Sequence, residues 1–116
     1  MNMSGLRNSL TIIAGLGLAA CALPPAPASA GDPQASSGRL LLEKHCAACH
    51  AVGRSDRSKH RDAPAFRTLS RSYPVAGLEE SLAEGMMVGH PDMPEIEFPA
   101  EDVAAIISYL ESIQEP

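Results

Sequence analysis

The sequence predicts an all-α fold, and three observations lead to that assignment. Residues 103–113 place apolar side chains at positions i, i+3, i+4, i+7 and i+10, the stripe of an amphipathic helix. Glu101 and Asp102 precede that stripe, where carboxylates stabilise the positive end of a helix dipole. A second stripe recurs every four residues over residues 78–86, and no segment alternates apolar and polar residues as a half-buried strand does. We therefore expect three to five helices and no sheet.

The first thirty residues are predicted to be an export signal. They contain no acid and one base, Arg7, which is followed by a short apolar stretch and by the small residues Ala-Ser-Ala at 28–30. The apolar stretch is shorter than the roughly 20 residues that a membrane-spanning helix needs. We expect cleavage after Ala30 and a periplasmic mature chain.

Cys21 leaves a second interpretation of this segment open. Residues 18–21, Leu-Ala-Ala-Cys, look like a bacterial lipobox, in which the cysteine becomes the lipidated first residue. Acyl chains would then hold the protein at a membrane surface, because each methylene that enters the lipid contributes favourable transfer energy. Both interpretations place the remaining domain outside the cytoplasm.

Residues 31–116 form a domain with too little apolar material for an ordinary core. A chain of this length buries only about 60–65% of its unfolded surface. Small exported domains often compensate with disulfides or metals, but a bridge between Cys46 and Cys49 would close a very small loop. A large, flat, apolar cofactor would fill the interior instead. The domain lacks Trp, and its aromatic residues are Phe66, Tyr73, Phe98 and Tyr109.

The domain is expected to begin with a mobile segment and one helix. Residues 31–37 are polar and are predicted to be a flexible lead-in. Ser36 or Ser37 is the predicted N-cap of a helix over residues 38–49. The main domain is therefore expected to span residues 38–116.

The middle of the chain is predicted to alternate loops and short helices. Residues 52–61 are rich in Gly, Ser and charge and are expected to form a loop. A short helix over residues 66–72 and a longer one over residues 77–88 follow, the latter ended by Gly89. Three prolines make residues 90–99 an extended loop, because proline cannot donate a backbone hydrogen bond.

Residues 46–50, Cys-Ala-Ala-Cys-His, carry the chemistry. This C-x-x-C-H sequence is typical of covalent haem attachment. Two residues between Cys46 and Cys49 match the separation of the two haem vinyl groups, so each thiol can form a thioether. His50 is then carried beneath the iron, where an imidazole nitrogen binds axially. The motif predicts one covalent haem c.

Three other interpretations of this motif are weaker. A thioredoxin-type redox pair also uses C-x-x-C, but it belongs beside a βαβ pattern, which this sequence lacks. A zinc site could combine Cys46, Cys49 and two histidines, yet no second cysteine pair or H-x₃₋₅-H spacing follows. The third is a plain disulfide between the two cysteines.

Taken together, residues 38–113 resemble a small class I bacterial cytochrome c. Residues 89–94 are similar to the distal loop of many small bacterial members, and Leu42 stands where the family more often has an aromatic residue. The matching positions are Gly38 eight residues before the first cysteine, the proline-containing turn at 63–66, Met93-Pro94, and the pair Tyr109-Leu110 in the last helix.

The sixth iron ligand has several candidates, and Met93 is the predicted one. Met86 fits the stripe of its helix, and Met87 beside it could face the haem edge. Met93 lies on a proline-stiffened loop that can be held over the iron without distorting a helix. His90 is its main rival.

The resemblance also implies supporting roles for other residues. The Pro64 carbonyl is expected to accept a hydrogen bond from the second ring nitrogen of His50, which fixes the ring orientation. Tyr73 would reach a haem propionate or simply pack, and Gly38 and Tyr109 would meet where the first and last helices cross. His45 is expected to point to another face, and His60 to be solvated; neither is a predicted ligand.

Iron ligated by His and Met has no open position for substrate, so the predicted function is one-electron transfer rather than catalysis. A peroxidase or gas-binding role is the weaker alternative, because peroxidase members of the wider group are usually larger and carry more than one C-x-x-C-H. We expect a monomer that exchanges electrons with redox protein donors and acceptors in the periplasm. A cytochrome subunit bound permanently to a larger oxidoreductase is the serious rival.

Charge is distributed unevenly along residues 31–116. Eight bases against fourteen acids leave a net charge of about −6, which argues against general nucleic-acid binding. Six bases and two acids lie within residues 54–71, and ten acids with no base follow Arg71. The resulting dipole could orient the domain during encounter. We expect the 54–71 loop to help select the partner, although these charges could equally be solvated faces.

Overall fold

The computed structural model describes residues 31–85 and 91–116. In these two ranges it contains three α-helices, two short 3₁₀ segments and no strand, so the predicted all-α fold is confirmed. The elements are α1 (Pro33–His45), η1 (Phe66–Arg71), η2 (Val75–Leu78), α2 (Glu79–Glu84) and α3 (Ala100–Ile113). The predicted export signal and Cys21 lie outside the described residues.

The first helix begins earlier than the sequence predicted. The Asp32 carboxylate accepts the backbone N–H two residues ahead at 2.9 Å, and Pro33 occupies the first helical turn. This Asp-Pro pair is a strong start signal, because the aspartate satisfies a free N–H and proline already has a helical φ. The mobile lead-in over residues 31–37 is therefore a wrong prediction. Ser36 and Ser37 are not caps either; their hydroxyls donate to backbone carbonyls one turn back.

The same helix also ends before the cysteine motif. Helix α1 stops at His45, and the Cys46 N–H still donates to the Leu42 carbonyl at 2.8 Å. The next bonds are turn bonds, since the N–H groups of Cys49 and His50 both donate to the Cys46 carbonyl, at 3.1 and 2.9 Å. The motif is thus a tight turn that follows the helix rather than its last turn.

Helices α1 and α3 cross at close range, and this crossing supports the rest of the domain. A side chain at Gly38 would overlap the backbone carbonyl of Ala105, so only glycine allows the approach. The predicted close approach of the two helices is present, and the atoms nearest to Gly38 belong to the backbone of Ala105 and Ile106. The Tyr109 hydroxyl donates to the Val52 carbonyl at 2.9 Å, which joins α3 to the chain that follows the motif.

The last helix supplies more of the core than any other element, and its apolar stripe predicted this burial. Helix α3 covers residues 100–113 and has Glu101 and Asp102 in its first turn. The side chains it buries are Val103, Ala105, Ile106, Ile107, Tyr109, Leu110 and Ile113. They pack against buried residues of α1, η1 and α2 and form a single cluster. Removing this apolar area from water stabilises the fold by roughly 25 cal/mol per Å².

The middle helices are shorter than predicted. The helix expected over residues 66–72 is present as the 3₁₀ segment η1. The helix expected over residues 77–88 starts as η2 and continues as α2, which ends at Gly85 with φ of +88°. This left-handed conformation favours glycine and stops the helix. Gly89, the predicted stop, lies outside the described residues.

The chain beyond α2 returns to the core as an extended loop. Residues 91–99 contain no helix, in agreement with the prediction for this stretch. The Phe98 N–H donates to the Leu82 carbonyl at 2.9 Å, and both side chains are buried. No helix in residues 31–85 or 91–116 is both long enough and apolar enough to cross a membrane.

Candidate functional site

A cleft with a volume of about 250 Å³ lies between two parts of the chain. We call residues 46–64 the proximal wall, since they include the C-x-x-C-H turn, and residues 91–96 the distal wall. Both cysteines, His50 and Pro64 line the proximal side, and Met93 lines the distal side. The structure therefore brings all five sequence-predicted site residues to one cleft.

The imidazole of His50 is held in a defined orientation. Its Nδ1 lies 2.8 Å from the Pro64 carbonyl oxygen, which can only accept, so Nδ1 carries the hydrogen and donates. The hydrogen bond that the resemblance implied is present. The ring also stacks on Phe66, with centroids 4.6 Å apart and planes 20° apart. Nε2 is thereby left as the nitrogen with a lone pair for a metal.

The stacking of Phe66 on His50 was not predicted from the sequence. Phe66 is buried at the start of η1, and its N–H donates to the Ala51 carbonyl at 3.0 Å. Because Ala51 directly follows the motif, this hydrogen bond holds Phe66 beside His50. The sequence signal for this stacking is an aromatic residue two positions after Pro64, because the turn that places the Pro64 carbonyl at His50 also places the Phe66 ring there.

The environment of Cys46 suits a neutral sulfur. Burial, with a smaller contribution from the neighbouring Cys49, raises the pKa of the Cys46 thiol to about 11. A zinc site needs thiolates, which this apolar setting disfavours. A thioether carries no charge, so its burial costs little free energy. The burial of Cys46 is therefore compatible with a sulfur that is bonded to carbon.

The Cys49 carbonyl ties the motif to the far end of the proximal wall. It accepts two backbone hydrogen bonds, from Lys59 at 3.0 Å and from His60 at 3.1 Å. The intervening loop closes on itself, since the N–H groups of Ala51 and Val52 donate to side chains of Ser58 and Asp56, at 3.0 Å each. The predicted 52–61 loop is thus well bonded internally.

Met93 is half-buried in the distal wall, on the side of the cleft that faces the motif turn. Pro91 and Pro94 flank it and limit the backbone freedom of this short segment. Met86, Met87 and His90, the other candidates for the sixth ligand, lie outside the described residues.

Two histidine predictions need correction. His45 and His60 both line the cleft instead of pointing away from it or into solvent. His45 packs edge-on against Phe98, with ring centroids 5.4 Å apart. His60 lies across the cleft from Asp92, with Nε2 and Oδ2 separated by 3.6 Å. Tyr73 is exposed, and it is not among the cleft-lining residues in the described part of the chain.

The basic segment 54–71 has an internal role that the sequence did not reveal. Arg54 donates to the Ser112 carbonyl at 2.6 Å, near the end of α3. Arg67 donates to the Asp56 carbonyl at 2.8 Å and pairs with Glu115 at 3.3 Å. These arginines hold the C-terminus against the proximal wall, so the segment is not simply a docking surface.

A helical domain whose apolar cleft presents two cysteines and a pre-oriented imidazole has the architecture of a c-type cytochrome. Residues 33–110 match the family model described as cytochrome c oxidase, cbb3-type, subunit III, and the chain belongs to this family. The match confirms the small c-type cytochrome predicted from the sequence. No match was found among curated proteins or among solved structures.

The residues of the cleft fit the haem c that this family implies. Cys46 offers a neutral sulfur, His50 offers a nitrogen lone pair, and the lining between the two walls is mainly apolar. Within the described residues, no group of three or more His, Cys, Asp or Glu side chains is arranged to hold a metal ion. Haem binding and electron transfer are accordingly the function of this domain at the level of its family.

Proposed function

We propose that this protein carries single electrons through one haem c, held by thioethers at Cys46 and Cys49 and by His50 and Met93 as axial ligands. The observation that carries the proposal is the His50–Pro64 hydrogen bond of 2.8 Å, beside a cleft that both His50 and Met93 line. When bound, the haem iron supplies a one-electron redox couple.

The chain's own residues would keep both ligands in place in both oxidation states. The Pro64 carbonyl fixes the His50 ring and makes its Nε2 more basic. The thioether of Met93 favours the reduced metal and raises the potential. The apolar lining excludes water, which also favours the state of lower charge. With both axial positions filled by side chains, there is no open position for substrate, and we infer a carrier rather than an enzyme.

We further propose that the domain works in the periplasm, after export directed by residues 1–30. Cleavage after Ala30 would release a soluble carrier, and lipidation of Cys21 would give a tethered one. Mass spectrometry of the mature protein distinguishes these two forms. A chain that starts at Gly31 supports release, and one that starts at an acylated Cys21 supports tethering.

The ligand assignment is tested by optical spectra of the purified holoprotein in both oxidation states. Met93→Leu should abolish the weak far-red sulfur-to-iron band and leave the covalent haem in place. Met86→Leu and Met87→Leu are matched controls, because each removes one methionine sulfur from the same half of the chain. Retention of the band in Met93→Leu, or its loss in a control, would show that Met93 is not the ligand.

The family match supports a second candidate, a cytochrome subunit of an oxidase complex. The members of this family are described as subunit III of an oxidase, whereas a free carrier works alone. Size-exclusion chromatography of mildly solubilised native membranes separates the two. Co-elution of this chain with terminal oxidase activity supports the subunit, and elution at the mass of a single chain in the periplasmic fraction supports the free carrier.

A further inference from the structure

One contact links the two walls of the cleft directly. His60 belongs to the proximal wall, where its N–H donates to the Cys49 carbonyl at 3.1 Å. Its side chain reaches across to Asp92 in the distal wall, with Nε2 to Oδ2 at 3.6 Å. Asp92 immediately precedes Met93. A chain of contacts thus runs from the cysteine motif through His60 to the residue beside the predicted iron ligand.

The tautomer of His60 is set by its own loop. The Asp62 backbone N–H donates to Nδ1 of His60 at 3.2 Å. A nitrogen that accepts has no hydrogen of its own, so the neutral ring must carry its hydrogen on Nε2. That N–H faces the Asp92 carboxylate. The loop therefore presents a donor to the distal wall without any need for the imidazole to be protonated.

We propose that His60 and Asp92 form a clasp that holds the distal wall, and with it Met93, against the cleft. The inference rests on the proposed function, since it assumes that Met93 is the sixth ligand. Closing the 3.6 Å gap to hydrogen-bond distance requires only a small movement of Asp92, whose side chain is 77% exposed. His60 is a positioning residue in this scheme, because it acts on the iron only through the segment that carries Met93.

The clasp should resist displacement of Met93 by an added ligand. Imidazole binds ferric haem only where the sulfur leaves, so its affinity measures how firmly the distal wall is held. His60→Ala and Asp92→Ala should each raise the imidazole affinity of the ferric holoprotein roughly two- to fivefold, the range for an exposed side-chain contact. The titration is followed by loss of the far-red band, at a pH well above the ordinary pKa of histidine.

Three further variants distinguish loss of the His60–Asp92 contact from general destabilisation of the cleft. The double variant should bind imidazole with about the same affinity as either single variant, because both single changes remove the same contact. His60→Gln keeps a donor at a similar reach and should restore most of the wild-type affinity. Asp62→Asn is the matched control: it removes a carboxylate from the same wall, keeps the backbone N–H that orients His60, and should leave the affinity unchanged.

Failure of the clasp is distinguishable from failure of the ligand assignment. Unchanged imidazole affinity in Asp92→Ala, or additive effects in the double variant, would overturn the clasp while the Met93→Leu spectra still identified the ligand. Retention of the far-red band in Met93→Leu would overturn both. The Asp92 side chain is highly exposed, so Asp92→Ala provides the test even where His60→Ala folds poorly.

Discussion

The two walls of the cleft are held to the molecule very differently. The proximal wall is braced internally by the His50–Pro64 bond and by two bonds to the Cys49 carbonyl, and it is joined to α3 by the Tyr109–Val52 bond. Among the described residues, the distal wall is connected by packing of Ile96 against the core and by the 3.6 Å contact of Asp92 with His60, and a backbone bond to Leu82 follows at Phe98.

This difference bears on how the two proposed ligands, His50 and Met93, are positioned. His50 is oriented by the polypeptide alone, because its hydrogen bond and its stacking partner are both in place without the haem. Met93 would depend on the iron–sulfur bond itself for much of its placement. A firm proximal ligand combined with a loosely held distal one predicts that ligand exchange, where it occurs, takes place on the methionine side.

The largest expected effect comes from breaking the helix crossing on which both walls rest. Gly38→Ala places a methyl group on the Ala105 carbonyl, so α1 and α3 must separate. We expect a loss of about 3 kcal/mol or more in the free energy of unfolding, at the upper end for overpacked cores. Denaturant unfolding of the holoprotein measures it.

Gly77→Ala is the matched control for this change. It makes the same substitution at a position where nothing lies within 4 Å of the added carbon. The free energy of unfolding should stay within about 0.5 kcal/mol of the wild type. Equal losses in the two variants would mean that the crossing is not what glycine protects at position 38.

The next effect concerns the tie between α3 and the proximal wall. Tyr109→Phe removes the hydroxyl that donates to the Val52 carbonyl and leaves that buried acceptor without its partner. We expect a loss of about 1–2 kcal/mol near neutral pH. An unchanged midpoint and slope in denaturant unfolding would contradict it.

The same variant gives a pH dependence with a definite sign. Burial raises the pKa of Tyr109, with smaller opposing contributions from Arg39 and Arg54. The unfolded tyrosine ionises near its ordinary pKa of about 10, so the stabilising contribution is complete below that pH. It is lost as the pH rises through the higher folded value. The stability advantage of wild type over Tyr109→Phe should therefore shrink above pH ~10.

The contrast between the walls also explains what the sequence could predict. The motif at 46–50 and the stripe of α3 are local patterns, and both were located correctly. The His50–Pro64 bond followed from family resemblance, since the two residues are fourteen positions apart. The start of α1 was missed because the Asp32-Pro33 signal lay within a segment whose polar composition suggested mobility.

Other features were missed because they depend on how distant segments meet. His60 was expected to be solvated because its neighbours are charged, yet the two backbone bonds to Cys49 turn that segment toward the cleft. The basic side chains of residues 54–71 were interpreted from their positive charge alone, as a surface that helps to select the partner. Their bonds to Ser112 and Glu115 arise from the return of α3, some forty to sixty residues later, and no local pattern encodes them.

A smaller effect should distinguish Phe66 and Phe98, the aromatic residues that follow the two walls in the chain. Phe66→Leu removes the ring that stacks on His50, and we expect a loss of about 1 kcal/mol in stability. The hyperfine-shifted NMR signals of the His50 ring should move as well. Phe98→Leu is the control, since Phe98 contacts His45 instead; it should cost similar stability and leave those signals in place. Identical NMR shifts in both variants would argue that the stack does not position His50.

The smallest effect tests whether charge reinforces the proximal wall. Arg67 is 20% exposed and joins the Asp56 carbonyl to the Glu115 carboxylate. Arg67→Met keeps most of the apolar stem and removes the guanidinium, and we expect a loss of about 0.5 kcal/mol at low ionic strength. The loss should shrink with added salt, because screening weakens the pairing with Glu115. Arg39→Met, which breaks an exposed pair within α1, is the comparison, and its effect should be smaller still. A larger loss of stability in Arg39→Met than in Arg67→Met would mean that the arginine contacts to the C-terminus do not strengthen the proximal wall. Backbone hydrogen bonds and the His50–Phe66 stacking would then account for its rigidity.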